Sequence, residues 1–395
     1  IDFLVERGYA DISDDSFESN NNALVNIDTP SASSNGNPLY LTISKCGDGN
    51  ATINANRTNT NTGRVMYIGE KANVTLKNLT LKGGALVGEN GGGIYSKGNC
   101  NLNSCTISGN TAKAPSGSVK GGGVYIERGS FTMEGCTISG NTAGSETSDA
   151  YANANAYGGG VYINNSSTFT MTCGEIFENS AKYGGGVYVS GGKFIMNGGS
   201  ISNNTVTENG KGKGVYVVKH KNPEGIEFSP TFEISGDASI TEDNDVYLAN
   251  GTTITVTGNL TSTDTVATIT PNEYSTTRQV LVAGSGVNFT DKIVNRFLVT
   301  QENGNEWYVT VNGNLQNMEK DANGYYLGRE PSDKVPTTET NGDVVLKKVS
   351  CSIESYDNML WIAHELKNKN IHKFDITLTN DIEIPSGKWT SPLDV

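Results

Sequence analysis

Short segments in which apolar and polar residues alternate recur through the middle of the chain. Three glycines, an aliphatic residue and a tyrosine occupy 91–95, 121–125, 158–162 and 184–188, a degenerate copy occupies 212–216, and a remnant lies at 246–247. Alternation over a few residues predicts β-strands. Recurrence with a period of about 30 residues is typical of repeat proteins.

Two further apolar columns follow each of these segments. The first is an x-spaced pair: Cys100-x-Leu102, Phe131-x-Met133, Phe169-x-Met171, Phe194-x-Met196 and Phe232-x-Ile234. The second is a single isoleucine: Ile107, Ile138, Ile176, Ile201 and Ile240. Three short strands per period, separated by Gly and Asn, predict one coil of a parallel β-helix, with successive coils ~4.8 Å apart.

A polar residue follows the isoleucine column at a fixed distance. It is Asn110, Asn141, Asn179 and Asn204, with Asp243 at the corresponding place in the next period. Asparagine tolerates corner backbone conformations and can bond to the neighbouring backbone. Stacked asparagines form amide ladders. We therefore interpret these four asparagines as a structural ladder.

The tyrosines of the repeat form a column of their own, made of Tyr95, Tyr125, Tyr162, Tyr188 and Tyr216. Each follows the inward aliphatic residue, so alternation directs it outward. The sequence leaves two roles open for this row. It could bind sugars or a partner, or it could be a structural stack that covers the sheet and its insertions.

Insertions concentrate at one corner of the predicted coil. The longest are Thr111–Lys120 and Thr142–Tyr157, and the second contains Tyr151 and Tyr157 among Ala and Asn. Because recognition often uses loops held on a rigid scaffold, both are candidate contact surfaces. Their polarity is equally compatible with plain solvated loops.

The two ends of the chain differ in character. We expect residues 1–312 to form the β-helix, 313–350 to be a linker or irregular segment, and 351–395 to begin a truncated second module. In that module the pattern predicts a helix over Tyr356–Lys369 and a strand over Asp375–Thr379. The predicted fold is all-β, a parallel β-helix solenoid with a short α/β C-terminal extension.

Composition and charge narrow the function classes. The chain has 395 residues, 48 of them glycine, only 18% charged residues and a formal net charge of −13. Without a basic tract, binding to nucleic acid is not expected, and no apolar run reaches the ~18 residues that span a bilayer. Three histidines and six cysteines without a CxxC pair give no metal or cofactor motif. At Cys105 and Cys136, buried free thiols are favoured over a disulfide.

The Gly-Gly-Gly-Val-Tyr and Ile-Ser-Gly-Asn-Thr-Ala segments resemble the right-handed β-helix repeats of bacterial cell-surface proteins. They are similar to the repeats of polymorphic outer-membrane adhesins, which carry Gly-Gly-Ala-Ile and Phe-x-x-Asn, with Ile in place of that Phe in Ile138-Ser-Gly-Asn141. The resemblance covers about 65–250. It implies a right-handed coil, extracellular or cell-surface display within a longer multi-module chain, and adhesion to a protein or glycan of a host or neighbouring cell.

A carbohydrate-active β-helix enzyme, a polysaccharide lyase or hydrolase, is the alternative. A glycosidase needs paired carboxylates beside a groove, and a lyase needs clustered Asp with a basic partner. Asp14, Asp15, Asp243 and Asp245 have no obvious basic partner in a neighbouring coil, and Glu242–Asp245 matches no known calcium loop. We expect a non-catalytic module without catalytic or metal-binding residues.

Overall fold

The structure is a computed structural model. It describes residues 23–27, 39–45, 50–58, 61–145, 155–261, 265–303, 305–318, 335–341, 344–353, 358–359, 361–362 and 373–378. The described residues fall into two units. The first holds those up to Glu273 together with Gln279–Asn288 and Arg296–Leu298, and the second holds Tyr274–Arg278, Phe289–Asn295 and those from Val299 onward.

The first unit is built from four sheets, named A to D here, whose neighbouring strands are parallel. From Arg64 to Val218 the chain visits A, B, C and D in turn and then returns to A, whereas the later strands of these four sheets belong to A, B and C only. Each complete repeat therefore adds one strand to each of A, B and C. It adds either one strand or two consecutive short strands to D. The prediction of an all-β chain with parallel sheets is confirmed.

Sheet A collects the Val-Tyr segments, in which β-branched residues favour the extended backbone. Its ten strands, in order, are Ala23–Ile27, Arg64–Ile68, Ile94–Ser96, Val124–Ile126, Val161–Ile163, Val187–Ser190, Val215–Val218, Asp245–Leu248, Ala267–Pro271 and Phe297–Val299. The register pairs like with like, as in Val124 with Val161 and Tyr125 with Tyr162. Both valines are fully buried.

Sheet B collects the Phe-x-Met segments. Its nine strands, in order, are Leu39–Ser44, Ala72–Lys77, Asn99–Asn103, Gly129–Glu134, Ser167–Met171, Lys193–Met196, Thr231–Gly236, Ile254–Leu260 and Leu281–Ala283. Phe131, Phe169, Phe194 and Phe232 are fully buried. The last three stack with ring centroids 5.3 and 4.9 Å apart.

Sheet C collects the isoleucine column, and every isoleucine in it is fully buried. Its seven strands, in order, are Ala51–Asn54, Leu79–Lys82, Thr106–Ser108, Cys136–Ser139, Gly174–Phe177, Ser200–Ser202 and Ser239–Ile240. Ile107 lies beside Ile138, and Ile138 beside Ile176. Like residues thus contact like residues from one repeat to the next.

Sheet D was not expected from the sequence. Its strands are Ala85–Val87, Thr111–Ala114, Ser118–Lys120, Thr142–Ser145, Asn155–Tyr157, Ser180–Tyr183 and Thr205–Lys211. Thr111–Lys120, predicted as one projecting insertion, therefore contains two strands joined by a three-residue turn at 115–117. The inward residues of these strands form a small alanine-rich cluster.

The triple glycines form the corner that precedes each strand of sheet A. Gly121 has a φ of +67°, a left-handed conformation that a side chain disfavours. A Cβ on Gly122 would lie 2.4 Å from the backbone carbon of Thr142. The first glycine thus provides the turn and the second allows neighbouring repeats to approach closely.

Other described elements are short or antiparallel. In the first unit His220–Lys221 pairs with Glu227–Phe228. In the second unit Trp307–Val309 pairs with Leu315–Asn317, and Asp291–Val294 is a short helix. Val335–Asn341, Val344–Ile353 and Lys373–Leu378 form a three-stranded sheet.

The second unit departs from the sequence interpretation in one respect. The segment 313–350, expected to be a linker or irregular, contains all of Val335–Asn341 and most of Val344–Ile353, which are strands. The strand predicted over Asp375–Thr379 is found at Lys373–Leu378. Residues 358–359 and 361–362 are helical, and the rest of the predicted helix Tyr356–Lys369 lies outside the described residues.

Candidate functional site

The tyrosine column forms a continuous stack on the face of sheet A opposite the valines. Consecutive ring centroids are 4.7 to 5.4 Å apart. The stack consists of Tyr67, Tyr95, Tyr125, Tyr162, Tyr188, Tyr216 and Tyr247. The two end members, Tyr67 and Tyr247, were not among the predicted site residues, although Tyr247 follows a valine as the others follow an aliphatic residue.

Two tyrosines of sheet D cover this stack. Tyr157 lies 4.9 Å from Tyr188, centroid to centroid, and 5.5 Å from Tyr183. Tyr183 in turn lies 5.6 Å from Tyr216. Tyr125, Tyr162 and Tyr188 are consequently buried although they point away from the valine column.

Burial governs the chemistry of the stacked phenols. Desolvation raises the pKa of Tyr162 to about 12 and raises the pKa of Tyr125 and Tyr188 further. These hydroxyls therefore stay protonated well above the pH of about 10 at which exposed tyrosines ionise. Desolvation also raises the pKa of Tyr95, whose hydroxyl donates a hydrogen bond to Glu127.

Cations border the stack. The Lys120 ammonium lies 5.1 Å from the ring centroid of Tyr162, and burial lowers the pKa of that lysine. The Lys211 ammonium lies 4.7 Å from the Tyr247 ring and donates a 2.9 Å hydrogen bond to its hydroxyl. Such cation–π contacts stabilise a packed aromatic row.

The structure places most, but not all, of the predicted contact residues in this stack. The structure brings Tyr157 together with the five tyrosines of the predicted row, Tyr95, Tyr125, Tyr162, Tyr188 and Tyr216. Some of the ring pairs are stacked, as Tyr162 and Tyr188 are, and others are tilted or meet edge to face. Tyr151 lies outside the described residues. A binding role for the row stays a prediction, and the burial of its central members leaves little ring surface for a ligand.

The predicted asparagines form a buried amide ladder. The Asn110 side-chain amide donates to Asn141 Oδ1 at 3.0 Å, Asn141 to Asn179 Oδ1 at 2.9 Å, and Asn179 to Asn204 Oδ1 at 3.0 Å. Each also donates to a backbone oxygen of sheet C, as Asn141 does to Ile107 at 2.9 Å. These buried amides are thus well satisfied by hydrogen bonds.

The next member of the ladder is Asn244 rather than Asp243. Asn204 donates to Asn244 Oδ1 at 2.9 Å, and Asn244 is fully buried. This turn holds one more residue after its isoleucine than the others. Asp243 instead accepts hydrogen bonds from Thr241 and from the Asn203 backbone at the exposed corner.

Among the residues that the structure describes, the cysteines and acidic residues are not assembled into a further site. Cys105 and Cys136 are buried free thiols, with the Cys105 amide donating to Cys136 Sγ at 3.2 Å. Asp245 accepts a 2.7 Å hydrogen bond from the Lys213 backbone. Within the part of the chain that the structure describes, no three His, Cys, Asp or Glu side chains are grouped to hold a metal ion.

A shallow groove lies on the outer face of sheet B. It encloses about 270 Å³ and is lined by Tyr40, Leu41, Thr42, Asn73, Thr75 and Asn101. Sequence reasoning missed it, because its residues come from three strands that are far apart in the chain and have no shared motif.

Comparison of the chain with family models, with curated proteins and with solved structures finds no match. Among the described residues, no helix combines the length and the apolar character needed to cross a membrane.

Proposed function

We propose that this chain is a secreted or surface-displayed bacterial module, a right-handed parallel β-helix that acts as an adhesin or structural stalk and is not catalytic. The carrying observation is the in-register stacking of equivalent residues over successive repeats in sheets A to C. A rod of this kind gains length with each repeat and presents a long, rigid surface.

The strand order supports closure of the sheets into a solenoid. The chain passes through sheets A, B, C and D and returns to A beside its previous strand. Parallel strands of one sheet joined by such crossovers are right-handed in about 98% of cases. This general rule favours the right-handed coil over its mirror image.

The use of side chains supports a structural rather than a catalytic role. The alternating residues that leave the core form the tyrosine stack on sheet A, and the fixed corner asparagines form the ladder. Burial raises the pKa of Tyr162 to about 12, so this phenol stays protonated well above neutral pH. Glu127, a carboxylate beside this stack, accepts the hydrogen bond of Tyr95.

Two experiments test this proposal. Antibodies against the purified chain should label intact source cells, or should detect it in the culture medium. Labelling only after permeabilisation, with nothing in the medium, would contradict surface display or secretion. The chain should release no product from pectin or alginate, whereas unsaturated or reducing ends would show the enzymatic alternative instead.

A further inference from the structure

The outer face of sheet B is polar and regular near its first strands. One outward column contains Tyr40, Asn73 and Asn99, and the next contains Thr42, Thr75 and Asn101. Neighbouring strands are ~4.8 Å apart and outward residues on one strand ~7 Å apart. The face therefore offers hydroxyl and amide groups at regular intervals.

The groove described above lies on this face, beside an exposed aromatic ring. Tyr40 is 76% exposed, whereas every other aromatic side chain that the structure describes is buried or half-buried. A ring exposed at this level leaves apolar area in contact with water. A flat apolar partner can cover this area by stacking on the ring.

The polar groups of the groove are available for hydrogen bonds. The Asn99 side-chain amide donates to Asn73 Oδ1 at 2.7 Å. This bond orients the Asn73 side chain and leaves the two N–H donors of Asn73 unused. Within the described ranges, the side chains of Thr42, Thr75 and Asn101 have no hydrogen-bond partner. A ligand with many hydroxyls could satisfy both their donors and their acceptors.

The charge of the groove and of the whole chain favours a neutral hydroxyl-rich ligand over an anionic one. None of the six lining residues is charged, and the whole chain carries a net charge of −13. An anionic polymer would be repelled by the overall field and would find no Lys or Arg in the lining to pair with. A neutral ligand meets neither obstacle.

We propose that this groove, with Tyr40 as the stacking platform and Thr75 and Asn101 as hydrogen-bonding groups, binds a neutral oligosaccharide. The apolar face of a sugar ring would lie on the tyrosine, and its hydroxyls would exchange hydrogen bonds with the threonine and asparagine side chains. This inference rests on the adhesin role proposed above and gives it a place and a ligand class.

The test uses the full chain and a panel of neutral hexasaccharides, namely cellohexaose, maltohexaose, chitohexaose and mannohexaose, with oligogalacturonate as the anionic comparison. Titration calorimetry should detect binding of at least one neutral member. No binding by any neutral member, or binding of oligogalacturonate alone, would overturn the proposal.

Three variants locate the site. Tyr40→Ala should weaken binding by about tenfold, which corresponds to ~1.4 kcal/mol, through loss of the stacking ring. Tyr40→Phe should retain binding because the ring remains. Thr75→Val keeps the shape, removes the hydroxyl and should weaken binding severalfold. Thr255→Val is the matched control: it is a half-buried outward threonine on the same sheet, outside the groove, and should bind as the parent chain does.

These outcomes separate the site from the function. If Tyr40→Ala and Thr75→Val bind the oligosaccharide as strongly as the parent chain, the groove is not the site, although an adhesin role would stand. Because Tyr40 is exposed, its replacement should leave the thermal unfolding midpoint nearly unchanged. Loss of binding in a folded Tyr40→Ala chain would then be a loss of ligand contact.

Discussion

At the scale of single residues, the corner asparagines join neighbouring repeats through buried side-chain hydrogen bonds. Asn141 accepts from both the backbone and the side chain of Asn110 and donates to Ile107 and Asn179. All of these contacts are buried. The ladder thus links backbone and side chains across several repeats in one network.

Asn141→Ala should therefore lower the free energy of unfolding by about 3 kcal/mol, because each buried group left without a partner costs roughly 1–3 kcal/mol. Guanidinium unfolding followed by circular dichroism measures the change. Asn101→Ala, at an exposed asparagine on the outer face of sheet B, is the control and should stay within about 0.5 kcal/mol. Equal losses in the two variants would show that the ladder has no special role.

The residue scale also shows how far sequence reasoning reaches. The asparagine positions follow from a fixed distance to the buried isoleucine, so four members are visible in the sequence. The fixed spacing gave the wrong residue for the fifth member of the ladder. One extra residue in that turn places Asn244 at the position that the spacing assigned to Asp243. A fixed spacing cannot detect such a local insertion, whereas burial of the side chain does.

At the scale of elements, the strands that could be predicted from the sequence are those whose inward residues are large. Sheets A, B and C carry Val, Phe and Ile columns, whose alternation is strong. Sheet D buries Ala112, Ala143 and Ala181 instead. Alanine gives a weak hydrophobic signal and favours helix over strand. The segments around it therefore resembled polar insertions.

The groove at Tyr40 illustrates a second limit. Alternation places Tyr40 and Thr42 on one face of a strand, which any half-buried strand would do. Their neighbours Asn73 and Asn101 are set beside them only by the register of sheet B. Register between distant strands is a tertiary property, so the site needs the structure to be seen.

The tyrosine stack predicts a dependence of stability on alkaline pH. Unfolded tyrosines ionise near pH ~10, whereas the folded pKa is about 12 for Tyr162 and is also raised for Tyr125 and Tyr188. Since the folded state retains protons that the unfolded state releases, this contribution is complete below pH ~10. It is lost as the pH rises toward 12, by up to ~1.4 kcal/mol per pH unit for each tyrosine.

Guanidinium unfolding measured at several pH values above 9 should show this fall, and the tyrosinate absorbance of the stacked rings should appear together with unfolding. Tyr162→Phe removes one ionisable phenol. It should reduce the fall of the unfolding free energy with pH by the share of one tyrosine, up to ~1.4 kcal/mol per pH unit. Thr255→Val, which removes no phenol, is the control and should leave the slope unchanged. Tyrosinate absorbance that rises fully near pH 10 in the folded chain would contradict the burial of the stack.

At the scale of the whole molecule, the proposed solenoid predicts that a complete repeat can be removed. Deleting 158–183 joins Tyr157 to Gly184, which occupies the place in its repeat that Gly158 has in the preceding one. Phe194 would then contact Phe131, and Asn204 would contact Asn141, so the like-to-like register is kept. The shortened chain should fold cooperatively, with a β-rich circular dichroism spectrum and a length reduced by ~4.8 Å, one strand spacing.

The matched control removes only part of a repeat. Deleting 158–171 excises the strands of sheets A and B but keeps the strand Gly174–Phe177 of sheet C. The isoleucine segment would then follow Tyr157 directly, and every later residue would reach its corner out of phase. Because each repeat is stabilised mainly by its neighbours, this chain should lose cooperative unfolding and become protease-sensitive from residue 172 onward. If both deletions behave alike in thermal unfolding and limited proteolysis, the sheets do not close into a repeating coil, and the rod on which the stalk and adhesin roles depend would have to be abandoned.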